Sequence, residues 1–199
     1  MRRILVLLAA AALLGGCTSA DPTAPGAARI DVDTPRYREM KKEAGVEPCR
    51  RGDADPMPGG LPDVTLPCLG GGPSVDLASL EGPLVLNFWQ STCGPCRKEM
   101  PVLQSFHEQY GDRVGVIGID WQDVQVGAAM QLVQDTGVTY PLLADPQSAT
   151  SGAAPLPRLR GMPFWVVVDA NGTVVHQQYT SVQSERQLVA MLRRAGVDL

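Results

Sequence analysis

The chain has 199 residues, enough for one domain with appendages, and 44% of them are hydrophobic, an ordinary share for a globular core. Its formal net charge of -4, with no basic block anywhere, excludes a nucleic-acid-binding surface. Internal repeats and long low-complexity tracts are absent from the sequence.

Arg2 and Arg3 open the chain with positive charge, and residues 4–14 form an apolar run too short for a membrane-spanning helix, the pattern of an export signal. Leu14-Gly15-Gly16-Cys17 follows and resembles a bacterial lipobox. That resemblance implies cleavage before Cys17 and lipidation of its thiol, with each buried CH₂ of an acyl chain contributing about 0.8 kcal/mol of anchoring. Residues 18–33, rich in Ala, Pro, Thr, Ser and Asp, read as a flexible tether. The expected divisions are a signal peptide over 1–16, a lipidated cysteine and tether over 17–33, an N-terminal extension over 34–60, and a globular domain over 61–199. Outside the cytosol disulfides persist, so Cys49, Cys68, Cys93 and Cys96 are read as two pairs.

Thr34-Pro35 reads as a helix start, with Thr as N-cap and Pro in the first turn, and the helix runs to Ala44 before Gly45. Residues 46–60 are loop. Residues 61–69 and 75–77 read as short strands around the turn at Gly70-Gly71-Gly72-Pro73. Residues 84–89 are an apolar run broken only by Asn87, which suggests a strand covered on both faces. A helix over 96–110 carries Leu103, Phe106 and Tyr110 on one stripe, and Pro101 within it is expected to kink it. A buried strand over 114–119, a helix over 124–135 capped by Gly137 and a short strand over 140–143 come next. Residues 147–160 resist assignment, because Pro155 and Pro157 interrupt any helix. Strands over 164–168 and 173–179 flank Asn171-Gly172, a strong hairpin signal. Ser184 starts the last helix, with Gln187 in the reciprocal capping position, Leu188, Met191 and Leu192 as its apolar stripe and Gly196 at its end. The order β-α-β-α-β-β-α predicts a mixed central sheet with helices packed against it.

The chemistry sits at the first strong strand-to-helix junction, Cys93-Gly94-Pro95-Cys96. A thiol at a helix N-terminus meets unpaired N–H groups and the positive end of the dipole. That field favours the thiolate, which is the nucleophile in disulfide exchange. The second sulfur is close enough to resolve a mixed disulfide. Glu99 reads most simply as an acidic residue suited to the dipole of the first helical turn, with help in proton transfer to Cys96 as the second reading.

With that junction the element order resembles the thioredoxin fold. Over residues 60 to 199 the chain resembles the TlpA/ResA-like branch of extracytoplasmic thioredoxins. The matching motifs are Leu86-Asn87-Phe88-Trp89, Cys93-Gly94-Pro95-Cys96, Glu99-Met100-Pro101, Tyr140-Pro141-Leu142-Leu143-Ala144-Asp145 and Gly161-Met162-Pro163. Residues 120–145 are similar to the strand and helix that this branch inserts into the fold. The resemblance implies that Cys93 attacks, that Cys96 is the buried resolving cysteine, and that Pro163 is a cis-proline facing the dithiol. It implies that Met162 offers backbone groups to an extended substrate strand and that Pro95 keeps the turn rigid, while Trp89 reads first as a packing residue and second as one bordering the site. Three departures from the family pattern stand out: Thr92 where Trp is usual, Asn87 in place of the buried carboxylate of ordinary thioredoxin, and Arg158 and Arg160 before the cis-proline loop. Asp123 aligns roughly with an acidic residue near the site in this branch.

Cys49 and Cys68 are expected to form a structural disulfide that pins the extension to the first strand region, worth on the order of 3 kcal/mol in the chain-entropy model. A relay of electrons from this pair to Cys93 is the rival reading. Zinc needs four ligands, but Cys49 and Cys68 lack CxxC spacing and His107 and His176 lie on unrelated elements, so neither metal nor cofactor is expected. The expected function is a thiol-disulfide oxidoreductase, tethered by lipid to the outer face of a bacterial cytoplasmic membrane. The resemblance implies protein disulfides as substrates, apocytochrome c among them in cytochrome c maturation, and a membrane thiol-electron transporter as donor. The alternatives are an oxidase of secreted proteins, a peroxiredoxin-like peroxidase and a non-catalytic surface binding lipoprotein.

Overall fold

The computed structural model describes residues 30–199. The expected signal peptide, Cys17 and most of the tether lie outside them. Thr34 caps the first helix, α1 (Pro35–Glu43), by accepting a hydrogen bond from the Tyr37 N–H, as the Thr-Pro signature predicts. The region expected as strand over 61–69 shrinks to β1 (Thr65–Leu66), which pairs antiparallel with β2 (Val75–Asp76). Pro62 and Pro67 carry no N–H for a ladder, which confines the pairing to the residues between them.

The central sheet is built from β3 (Leu84–Trp89), β4 (Gly115–Trp121), β5 (Leu142–Asp145), β6 (Phe164–Val168) and β7 (Val174–Tyr179). Their spatial order is β5-β4-β3-β6-β7. β3, β4 and β5 run parallel, while β6 is antiparallel to both β3 and β7. β3 is central and buried throughout, which is why its sequence is continuously apolar. The remaining helices are α2 (Gly94–Tyr110), α3 (Val126–Thr136) and α4 (Glu185–Arg194). α2 starts two residues earlier than expected and continues through Pro101. β5 starts two residues later, at Leu142, after Pro141. Ser184 caps α4 as predicted, but Gln187 Oε1 accepts from the Gln183 N–H, one residue before the cap.

Strand alternation divides the core in two. Val85, Trp89, Val116, Trp165 and Val167 face a cluster to which α1, α2, α3 and α4 each contribute. Leu84, Leu86, Phe88, Ile119 and Val166 face a second cluster, closed by Leu66, Val75, Leu77, Leu156 and Leu159. The segment over 147–160 has no regular structure, as its prolines imply. It is anchored at Asp145, whose carboxylate accepts from the N–H groups of Ala149 (2.7 Å) and Thr150 (3.0 Å).

The edge of β5 is covered. The Leu69 N–H donates to Leu142 O, the Ala144 N–H donates to Pro67 O, and Cys68 stands opposite Leu143. Gly70, Gly71 and Gly72 all adopt positive φ, which turns the chain away from that edge and back toward β2.

Candidate active site

β3 ends at Trp89, and Gln90-Ser91-Thr92 carries the chain to Cys93, the N-cap of α2. Cys93 Sγ accepts from the Cys96 N–H at 3.2 Å, so this sulfur sits among the free N–H groups of the helix start. Cys93 and Cys96 form a disulfide. Cys93 is half-buried, and Cys96 is 0% exposed. One cysteine is therefore partly open to solvent and the other is sealed in the core.

Two neighbouring features shape the approach to Cys93. Asp123 steadies the loop before it, with Oδ2 accepting from the Ser91 N–H at 2.7 Å and Oδ1 from the Gln125 N–H at 2.8 Å. Beside the dithiol an open groove of about 500 Å³ is lined by Pro95, Arg160, Gly161, Met162, Pro163 and Tyr179, among others. The Met162-Pro163 peptide bond is cis. Met162 is half-buried and Pro163 buried, so the rim of the groove is partly backbone.

The expectation for Glu99 needs correction. It lies past the first turn of α2, which holds no acidic residue, and is a fully buried carboxyl. It lies three residues after Cys96, on the same face of α2. Asn87 Nδ2 donates to Glu99 Oε1 at 2.8 Å, and the Val182 N–H donates to Oε2 at 3.1 Å. Burial lifts its pKa to about 7, and those two bonds only partly oppose the rise. The carboxyl absent from position 87 is thus supplied by α2, with Asn87 as its donor. Helical period puts 96, 99, 100 and 103 on one stripe, and the packing of α2 against the sheet buries all four.

A second carboxyl lies near the same end of the sheet. Asp120, paired in register with Trp89, is buried, and its Oδ1 has no hydrogen-bond partner among the described residues. Burial first, and the charge of Asp123 second, push its pKa well above the ordinary carboxylate range.

Trp89 also needs correction as a residue bordering substrate. It is 0% exposed and packs in the helix-side core with Cys96 and Met100, behind the dithiol. Arg160 reaches the groove, with its N–H donating to Tyr179 Oη at 3.3 Å, whereas Arg158 is exposed and does not line it. His107 pairs with Glu47 and His176 with Gln178, so neither joins the dithiol. Cys49 and Cys68 form a disulfide in the other core cluster, across the sheet from Cys96. That placement removes a direct relay between the two pairs.

The Redoxin family model matches residues 55–192. The thiol-disulfide oxidoreductase ResA of Bacillus thuringiensis is 30% identical over 128 residues, which cover 62% of this chain and 69% of that protein. A secreted thiol-disulfide isomerase from Corynebacterium glutamicum superposes with a TM-score of 0.60 at 26% identity, covering 68% of this chain and 84% of the other. A DsbF homologue from Corynebacterium diphtheriae gives 0.57 at 29% identity, over 68% and 85% of the two chains.

Proposed function

We propose that this chain, which belongs to the Redoxin family and is a thiol-disulfide oxidoreductase, works as a reductase of protein disulfides tethered to the outer face of a bacterial cytoplasmic membrane. The observation that carries the reading is the asymmetry of the dithiol: Cys93 half-buried at the helix start beside an open groove, Cys96 sealed behind it.

In the reduced enzyme the Cys93 thiolate attacks one sulfur of a substrate disulfide. The substrate's other sulfur leaves as a thiolate, and a mixed disulfide forms at Cys93. Cys96 then loses its proton, attacks Cys93 Sγ and releases the second substrate thiolate. Two electrons have passed to the substrate, and Cys93–Cys96 is oxidised. Glu99, one helical turn beyond Cys96, is the acceptor for that proton: a carboxyl titrating near neutrality both accepts and returns one without large cost. The substrate segment lies extended along the groove, pairing with backbone at Met162, with Pro163 and Pro95 shaping its walls.

The signature Leu14-Gly15-Gly16-Cys17 supports the tether through Cys17, with residues 17–33 as spacer and 34–60 as an extension held by Cys49–Cys68. Electrons for the next cycle come from a membrane thiol-electron transporter, and apocytochrome c is the proposed substrate. Oxidation of secreted proteins is the second reading, favoured by the likeness to the secreted isomerase. Replacing Cys96 with Ser stalls the cycle at the mixed disulfide and lets the substrate be isolated on Cys93. The reduction potential of the pair decides direction: a value near that of thioredoxin, about -270 mV, upholds the reductase, and one near that of a strong oxidant, about -120 mV, upholds the oxidase.

A further inference from the structure

α1 carries a lysine into the interior. Lys41 is only 8% exposed, and its Nζ lies 2.8 Å from Cys68 Sγ, 3.9 Å from Cys49 Sγ and 3.0 Å from Gly71 O, to which it donates. Among the described residues no carboxylate oxygen forms an ion pair with it; Asp33, which acts on it from farther away, is itself paired with Arg38. A buried ammonium needs counter-charge or strong acceptors, and a disulfide sulfur is a weak acceptor. A thiolate at Cys68 would be a full counter-ion in contact. The lysine is therefore poorly matched to the oxidised pair and well matched to the reduced one. Burial lowers the Lys41 pKa, in keeping with this uncompensated charge.

Cys49 and Cys68 are both buried, at 3% and 1% exposure, but their surroundings differ. Cys49 lines a cavity of about 340 Å³ together with Arg50, Glu81, His107 and Pro141, whereas Cys68 lies on the β5 edge against Lys41. We propose that Cys49–Cys68 is a second thiol-disulfide exchange site, a reducible clasp on the N-terminal extension, in which Cys49 is attacked and Cys68 leaves as a thiolate received by Lys41. The reductant is a dithiol. One of its thiolates attacks Cys49 Sγ, the Cys49–Cys68 bond breaks, and the electron pair departs on Cys68. The second thiol of the reductant, after losing its proton, displaces Cys49, which takes a proton from water. The reductant ends as a disulfide, two electrons poorer. Opening the clasp frees the loop around Cys49 from the segment that covers β5, without passing electrons to Cys93.

The test equilibrates the full chain and its Lys41→Met and Lys41→Gln variants in buffers of reduced and oxidised dithiothreitol of stepped ratio. Samples are acid-quenched and alkylated, and Cys49 and Cys68 are read peptide by peptide, with far-UV circular dichroism reporting the fold. Cys93 and Cys96 are scored on their own peptides, so failure of the proposed cycle there is seen separately. The unsubstituted chain is expected to reach half-reduction at Cys49 and Cys68 while folded. Each variant should require a buffer about tenfold more reducing, equivalent to about 30 mV. A pair that stays oxidised until the protein unfolds overturns the proposal, as does a shift of less than about twofold in folded variants. Should both variants fail to fold, the unsubstituted chain decides alone: reduction in the folded state upholds the site, and resistance overturns it.

Discussion

Asn87 Nδ2 donates to Glu99 Oε1 across 2.8 Å, joining the central strand to α2 one turn beyond the buried sulfur of the dithiol. The pair places a carboxyl in the core and holds it there.

That carboxyl makes stability depend on pH. The folded pKa of Glu99, about 7, exceeds its ordinary value of 4.5. Between these values the native state holds the proton more tightly than the unfolded chain, so stability falls as pH rises through that window. Glu99→Gln, which stays neutral, removes the fall and is more stable than the unsubstituted chain at high pH by on the order of 3 kcal/mol. Urea melts at about pH 5 and about pH 8 check this, because the two proteins should diverge only at the higher value.

The same substitution should slow the second step of exchange. With the proposed proton acceptor gone, release of the mixed disulfide drops by about 10²-fold, the low end for a positioned proton acceptor, while the initial attack by Cys93 is preserved. Single-turnover kinetics with a disulfide peptide separate the two phases. Equal slowing of both would show that Glu99 acts on the whole site and not on Cys96.

Asn87→Leu leaves Oε1 of Glu99 without its donor. The expected loss is about 1–3 kcal/mol, the cost of an unsatisfied buried group, together with a further rise in the Glu99 pKa. Denaturant titration gives the first, and the pH profile of mixed-disulfide release gives the second.

Asp123→Ala removes acceptors from the Ser91 and Gln125 N–H groups, one of them in the loop that delivers Cys93. A loss of about 1–2 kcal/mol is expected, as for removal of a capping side chain. Faster amide exchange at Ser91 would show that the loop itself has loosened; unchanged exchange would refute the anchoring role.

Replacing Cys49 and Cys68 together with Ser should cost on the order of 3 kcal/mol, from a pair separated by 19 residues, and leave exchange at Cys93 intact. The two pairs lie on opposite faces of the sheet, so loss of one does not disturb the chemistry of the other. Thermal unfolding and a disulfide reductase assay on the same sample check both halves.

The local signals of this chain were legible in its sequence. The caps at Thr34 and Ser184, the continuous apolar run of β3, the Asn-Gly hairpin and the close-set cysteines at a strand-to-helix junction depend on neighbours within a few residues. Tertiary structure decided what depends on distant partners. It sealed Cys96, Trp89 and Glu99 into one core, brought Asn87 and Val182 to the Glu99 carboxyl, and set Lys41 against Cys68. The reason is physical: a charged residue on a short helical stripe has the same local propensity whether solvent or core covers it. Only the packing of the sheet and its helices determines which, and with it the proton affinity of the group.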